Sequence, residues 1–279
     1  MKTVISLLLV SVFLSSCRQE EKSPSNLSSQ VAPVGGECIA GCVNYESIID
    51  EAIVKLVGQR NRRGCIVVTA RESKVSGSSY CLRTGPFRVT NVDGKQYVYS
   101  SVLGNIINDK GEEDAAHADI GTVRLLKFQY LNGKLKLISA SDYLEEGNGF
   151  GKAPSVSLVI IKKNGEMGWV IDSGYMNQGF IFGGTSIYLL DAKEKFKKVL
   201  DVPVLASDCG RDEKCTSIDS ELHTIRGEGS SDYLAINALV SVERKKNNTE
   251  RFEFKFEYDT KNGVYSVPKT YETIFASSK

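Results

Sequence analysis

Arg251-Phe252-Glu253-Phe254-Lys255-Phe256-Glu257-Tyr258 alternates a charged residue with an aromatic one. Side chains on an extended strand point to opposite faces in turn, so a period of two sorts this stretch cleanly. Phe252, Phe254, Phe256 and Tyr258 fall on one face, and Arg251, Glu253, Lys255 and Glu257 on the other. On a helix the same residues would scatter around the axis and leave no apolar stripe. The stretch predicts a half-buried antiparallel strand with one wet side. A sheet containing it needs neighbouring strands and the turns that join them.

Such signals recur from Gly64 onward. Four turn sequences, Val92-Asp93-Gly94-Lys95, Leu131-Asn132-Gly133-Lys134, Lys163-Asn164-Gly165-Glu166 and Lys261-Asn262-Gly263, lie between apolar or alternating runs. Asn-Gly and Asp-Gly supply the positive φ angles that two-residue hairpins need. Phe87 to Ala140 then reads as four strands in succession, as do Val156 to Pro203 and Leu222 to Pro268, with starts about 66–69 residues apart. The expected fold is mainly β, with about twelve antiparallel strands in three four-stranded meander units. Those units would pack radially in a propeller-like array or as a large two-sheet sandwich.

One helix is expected before the strands. Tyr45, Ile48, Ile49, Ala52, Ile53, Leu56 and Val57 recur at three and four and form one apolar stripe. Asn44 is placed to cap its start and Gly58 to end it in a left-handed conformation. The basic loop Gln59 to Arg63 that follows reads as a solvated turn.

Formal net charge is +1, which argues against a nucleic-acid partner, since such proteins carry a strong basic excess. Beyond Cys17 the cysteines are Cys38, Cys42, Cys65, Cys81, Cys209 and Cys215. An even number in an exported chain points to disulfides, and spacing favours Cys209 with Cys215, leaving the other four to pair among themselves. A zinc site would want closer Cys pairs than these. No metal and no cofactor are expected.

The export assignment rests on the N-terminus. After Met1 and Lys2, Val4 to Leu14 carries no charge and is about half the length needed to span a bilayer. It is followed by Leu14-Ser15-Ser16-Cys17, which resembles the lipobox of bacterial lipoproteins. The resemblance implies removal of a signal peptide at 1–16, a lipid on Cys17 and attachment to the membrane through that lipid. Arg18 at the next position leans toward the outer membrane. Residues 17–37 are rich in Ser, Gln, Pro and charge and read as a flexible lipidated tether. Residues 38–279 form the disulfide-stapled β domain, with a helix and Cys-rich part at 38–86 and the three β units at 87–279. The domain is expected in the periplasm or at the cell surface.

Catalytic motifs are absent: there is no G-x-S-x-G, no H-E-x-x-H and no P-loop. His117 lies in an acidic loop whose spacing matches no EF-hand. His223 falls on an expected strand and reads as structural. The densest unusual region runs from Glu145 to Gly151 and then from Trp169 to Gly184. Its Phe150, Trp169, Asp172, Tyr175, Asn177, Gln178 and Phe180 combine aromatic faces with amide and acid groups, a combination suited to sugars or peptides. The Gly147 to Gly151 run is not a dinucleotide loop, because no helix follows it.

Two further resemblances bear on function. Ser76-Gly77-Ser78-Ser79-Tyr80 resembles the S-G-x-x-Y signature of periplasmic c-type lysozyme inhibitors, in which Ser76 would enter the lysozyme cleft, with Lys95 the nearest assisting lysine. The stretch from His117 to Asp208 is similar to exported bacterial proteins that carry no known activity. The expectation is a membrane-anchored envelope lipoprotein acting as a non-catalytic binding module for a glycan, a peptide or an envelope protein. The alternatives are a carboxylate-based hydrolase of envelope glycans and a lysozyme inhibitor.

Overall fold

The structure is a computed structural model that describes residues 43–69, 72, 78–116, 118–209, 216–225, 231–244 and 248–276. Cys17 with its lipobox and tether, Cys38, Cys42, Ser76, His117 and Cys215 lie outside the described residues. Helix α1 spans Tyr45–Val57, and the Asn44 side chain accepts the Ser47 N–H at 3.2 Å as expected of an N-cap. Gly58 closes the helix differently from expectation. Its φ of 139° and ψ of 179° are extended rather than left-handed helical, although its N–H still reaches Val54 O. That φ also favours glycine.

Five strands follow in one antiparallel meander: β1 (Ile66–Val68), β2 (Ser79–Val92), β3 (Lys95–Ile107), β4 (Thr122–Leu131) and β5 (Lys134–Ala140), hydrogen-bonded in sequence order. Eight more form a second sheet: β6 (Ser155–Ile160), β7 (Met167–Asn177), β8 (Phe180–Leu190), β9 (Phe196–Ser207), β10 (Thr216–Ile225), β11 (Ala235–Arg244), β12 (Thr249–Asp259) and β13 (Val264–Ser266). The expected strands are present, with β1 in addition, but their grouping into three units is corrected. β9 pairs with β10 through Ser207–Ser217, Ala206–Ile218 and Leu205–Asp219, fusing the second and third expected units into one sheet. The described strands make two sheets and not a propeller.

Two of the four expected hairpin turns have positive φ at both central positions: Asp93-Gly94 at 50° and 74°, and Asn132-Gly133 at 50° and 80°. At Asn164-Gly165 and Asn262-Gly263 only the glycine is left-handed, and the loops are longer, closed by Glu166 O accepting from Ile161 and by Asp259 O accepting from Gly263. A turn that was not anticipated, Gln178-Gly179 at 49° and 86°, joins β7 to β8.

The long sheet curls. Beyond β6, Leu234 N–H donates to Ile161 O at 2.8 Å and Lys163 N–H to Asp232 O at 2.9 Å, drawing the β6 edge to the entry of β11. Inside the curl lie Val170, Ile187, Leu189, Val202, Ile218, Ala238, Val240 and Phe256. A second helix, α2 (Lys269–Ala276), follows Pro268 and was not expected. It caps this core with Tyr271 and Phe275, one turn apart and both buried.

The first sheet is covered on both faces. α1 packs Ile49 and Ile53 against Tyr80, Val98, Val102 and Phe128 on one. On the other, Tyr99, Val123 and Leu125 meet Leu158, Met167, Trp169, Ile171 and Tyr188 of the second sheet. Trp169 crosses the interface and donates its indole N–H to Ser100 O at 2.8 Å. That carbonyl lies beside a β-bulge in β2, where Pro86 has no N–H to offer.

Candidate binding cleft

A cleft of about 700 Å³ opens over β7, β8 and β9. Its shape follows from missing side chains. Gly174 pairs with Gly183 and Ser173 with Gly184 across β7 and β8, so the floor carries almost no bulk. A bulge places Val204 as an extra residue on β9 opposite Gly183–Gly184, next to Pro203. Tyr271 of α2 donates its hydroxyl to Pro203 O at 2.6 Å and so anchors the bulge from behind. Glu145, Glu146, Gly147 and Gly149, with Ala118 and Ile120, make a wall; Asp201, Val202 and Pro203 also line the cleft.

The wall segment is seated directly on backbone. Gly149 N–H donates to Gly174 O at 3.0 Å, and Asn148 N–H to Lys152 O at 2.8 Å. Its tip is Phe150, which is half exposed and has φ of 61°, a left-handed conformation uncommon for a bulky residue. Phe150 does not line the cleft.

Of the seven residues expected to bind, Tyr175 and Asn177 line the cleft, and both are exposed. Tyr175 stacks on Phe182, with centroids 5.3 Å apart, and Phe182 in turn lies 6.2 Å from Phe180. Met176, more than half exposed, extends the apolar wall. Trp169 is placed elsewhere: it is fully buried between the sheets, 5.0 Å from both Tyr99 and Phe196. Asp172 is buried and accepts the Thr185 hydroxyl at 2.5 Å, a sheet-internal bond. Gln178 occupies the β7–β8 turn, and neither it nor Phe180 lines the cleft.

Residue types alone did not point to the polar network at the cleft. Glu146, half-buried, accepts the Tyr188 hydroxyl at 2.6 Å and the Lys198 ammonium at 2.6 Å, with Ser186 Oγ at 3.5 Å. Ser186 Oγ also donates to Asp201 Oδ1 at 2.9 Å, and Lys198 reaches Asp201 Oδ2 at 3.3 Å. One ammonium therefore bridges two carboxylates, and the single Ser186 proton goes to the nearer, Asp201. Burial works against the Lys198 charge, but Glu146 and Asp201 outweigh it and hold its pKa above the ordinary lysine value. The Tyr188 hydroxyl is pushed far upward, by burial first and then by the adjacent Glu146 carboxylate. The signal available in sequence was the i, i+2 pair Ser186 and Tyr188 on one strand face, together with Asp201 inside an otherwise apolar run.

The remaining expected features are structural in kind. Arg60 of the basic loop pairs with Asp50, and the Arg63 guanidinium donates to Gly111 O. His223 is half-exposed, 3.5 Å from Glu221. In the acidic loop, Glu113 bonds Lys152 at 2.5 Å and Asn105 at 3.0 Å. Tyr80 of the lysozyme-inhibitor-like pattern is fully buried, and Lys95 is exposed at the start of β3. Cys65 and Cys81 form a disulfide with Cα atoms 5.4 Å apart, and Cys209 is likewise disulfide-bonded. Among the described residues no cluster of three or more His, Cys, Asp or Glu is placed to hold a metal, and no helix is long and apolar enough to cross a membrane.

No family model matches the chain, and neither the curated proteins nor the solved structures compared with it include a match.

Proposed function

We propose that the protein is an envelope lipoprotein, anchored through Cys17, whose folded domain binds a ligand without transforming it. The observation that supports the binding role is the cleft over β7–β9. It is concave and partly apolar, with an exposed Tyr175 stacked on a half-buried Phe182 and a few oriented polar groups, the composition common to small-ligand and side-chain pockets. A glycan residue or a peptide side chain fits that volume. The anchor reading rests on the lipobox resemblance. It is tested by replacing Cys17 with Ala, which is expected to move the protein from the membrane fraction to the soluble one.

The hydrolase reading draws on Glu146 and Asp201. Glycoside cleavage needs one carboxyl holding a proton and a second that is free to attack or to activate water. Here Lys198 bonds both carboxylates, Tyr188 donates to Glu146 and Ser186 to Asp201, so each already has two partners. Binding is therefore the better-supported role.

Gly184 offers the test. A Cβ built there meets only Val202 O, at 3.5 Å, an ordinary contact, so a valine is a direct way to add bulk to the cleft floor. Gly184→Val is expected to abolish binding of whichever oligosaccharide or peptide from a defined panel binds the wild type, with an unchanged unfolding midpoint. Release of reducing ends from peptidoglycan by the wild type, lost in Glu146→Gln, would overturn the non-catalytic assignment.

A further inference from the structure

We infer that the cleft selects a cationic ligand: a basic peptide segment that places a lysine or arginine side chain between Glu145, Asp201 and the Tyr175–Phe182 stack. This rests on the cleft being the binding site.

Charge complementarity carries the inference. Glu145, Glu146 and Asp201 all line the cleft, and among the described residues no lysine or arginine does. Lys198, outside the lining, is tied to Glu146 and Asp201 at 2.6 and 3.3 Å. Glu145 and Asp201 are both exposed, and three lining carboxylates against the single ammonium of Lys198 leave the cleft net negative. The lining also carries the apolar and aromatic side chains of Ile120, Tyr175, Met176 and Phe182. A lysine or arginine side chain has the matching profile, an apolar stem with a charged tip, and aromatic faces add cation–π attraction. The glycine floor lets an extended peptide backbone approach closely, as a bulkier floor would not. A neutral sugar uses the aromatic stack but leaves the excess negative charge, Glu145 above all, unmatched.

The purified full chain is titrated with tri-lysine, with the same peptide acetylated on every side-chain amine, and with a glucosamine trimer. Tri-lysine is expected to bind, to weaken steeply as salt rises, to weaken about fivefold with Glu145→Gln, and to fail with Gly184→Val. The acetylated peptide is expected not to bind. Glu145→Gln disturbs no packed group, so it remains informative if Gly184→Val should fold poorly. Failure of tri-lysine to bind, or binding indifferent to Glu145→Gln, overturns the inference. Binding of the glucosamine trimer with no tri-lysine binding overturns the peptide assignment while leaving the cleft as a binding site. If no member of a wider glycan and peptide panel binds in a way that Gly184→Val blocks, the proposed function itself falls.

Discussion

A Cβ on Gly147 would collide with the Gly121 backbone, and a Cβ on Gly121 with the backbone at Lys152 and Ala153. The cleft wall is thus held by main chain lying on main chain, and Gly147→Ala is expected to cost about 1–3 kcal/mol, the usual penalty of overpacking. Chemical denaturation measures it; an unchanged midpoint would mean that the wall can retreat. Gly184 is the contrast, with room for a Cβ at an ordinary φ. Trp169 yields a second residue-scale expectation. It is the only tryptophan, fully buried and outside the cleft. Its emission should be blue-shifted in the native state, move red on unfolding and stay fixed when ligand fills the cleft. A native spectrum typical of exposed tryptophan would contradict the packing of the two sheets.

At the scale of elements, α2 is the piece most open to a direct test. Tyr271 fills the open curl of the long sheet, and its hydroxyl ties Pro203 O at 2.6 Å with Ser220 Oγ at 3.2 Å. Tyr271→Phe keeps the ring but removes the bond to Pro203 O and takes a partner from the buried Ser220 hydroxyl. The expected loss is about 1–2 kcal/mol. Because Pro203 borders the cleft, the same variant should also weaken ligand binding. Loss of stability with intact affinity would show that the bulge keeps its shape without α2. The hairpins show how turn chemistry divides. Asp93-Gly94 and Asn132-Gly133 adopt the paired positive φ that their sequences demand, whereas Asn164 and Asn262 lie in longer loops. The dipeptide locates the turn, but the register of the flanking strands selects its type.

For the molecule as a whole, the inter-sheet core and the cross-link at the covered end of the first sheet act together. The Cys65–Cys81 bridge spans 16 residues in sequence, for which the chain-entropy account gives about 3 kcal/mol. Each large apolar side chain fully buried between the sheets contributes about 1.5–3 kcal/mol. Several such residues outweigh one bridge. Cys65→Ala/Cys81→Ala should therefore lower the denaturation midpoint yet still fold cooperatively; an unfolded product would show that the bridge is essential. Acid acts at two ion-paired sites. The hydrogen bond from Arg60 holds the Asp50 carboxyl below its ordinary 3.8, against opposing burial and with help from Thr84. Lys152, then Asn105, hold Glu113 below 4.5. A carboxylate whose folded pKa is depressed stabilises the fold above its unfolded pKa. That contribution is whole above about pH 4.5 and drains away as pH falls through the folded values. The urea midpoint should decline across that window, and Asp50→Asn should flatten the decline.

Much of this protein is local in origin and so was legible in its sequence. Alternation in Arg251–Tyr258, the three-and-four stripe of α1 with its Asn44 cap, and the glycine turns each depend on neighbours a few residues away. The dense Glu145–Gly184 region likewise pointed to the neighbourhood of the cleft. What needed the tertiary structure was everything set by long-range pairing. β9 joining β10 turned three units into two sheets, and α2 formed because the curled sheet left an apolar mouth for Tyr271 and Phe275 to fill. Trp169 went to the core because its face of β7 meets the other sheet. Glu146, Ser186, Lys198 and Asp201 come from three separate stretches of chain and became one network only when strand register put them side by side. Side-chain period is encoded residue by residue, but which face meets which partner is decided by the packing of the whole.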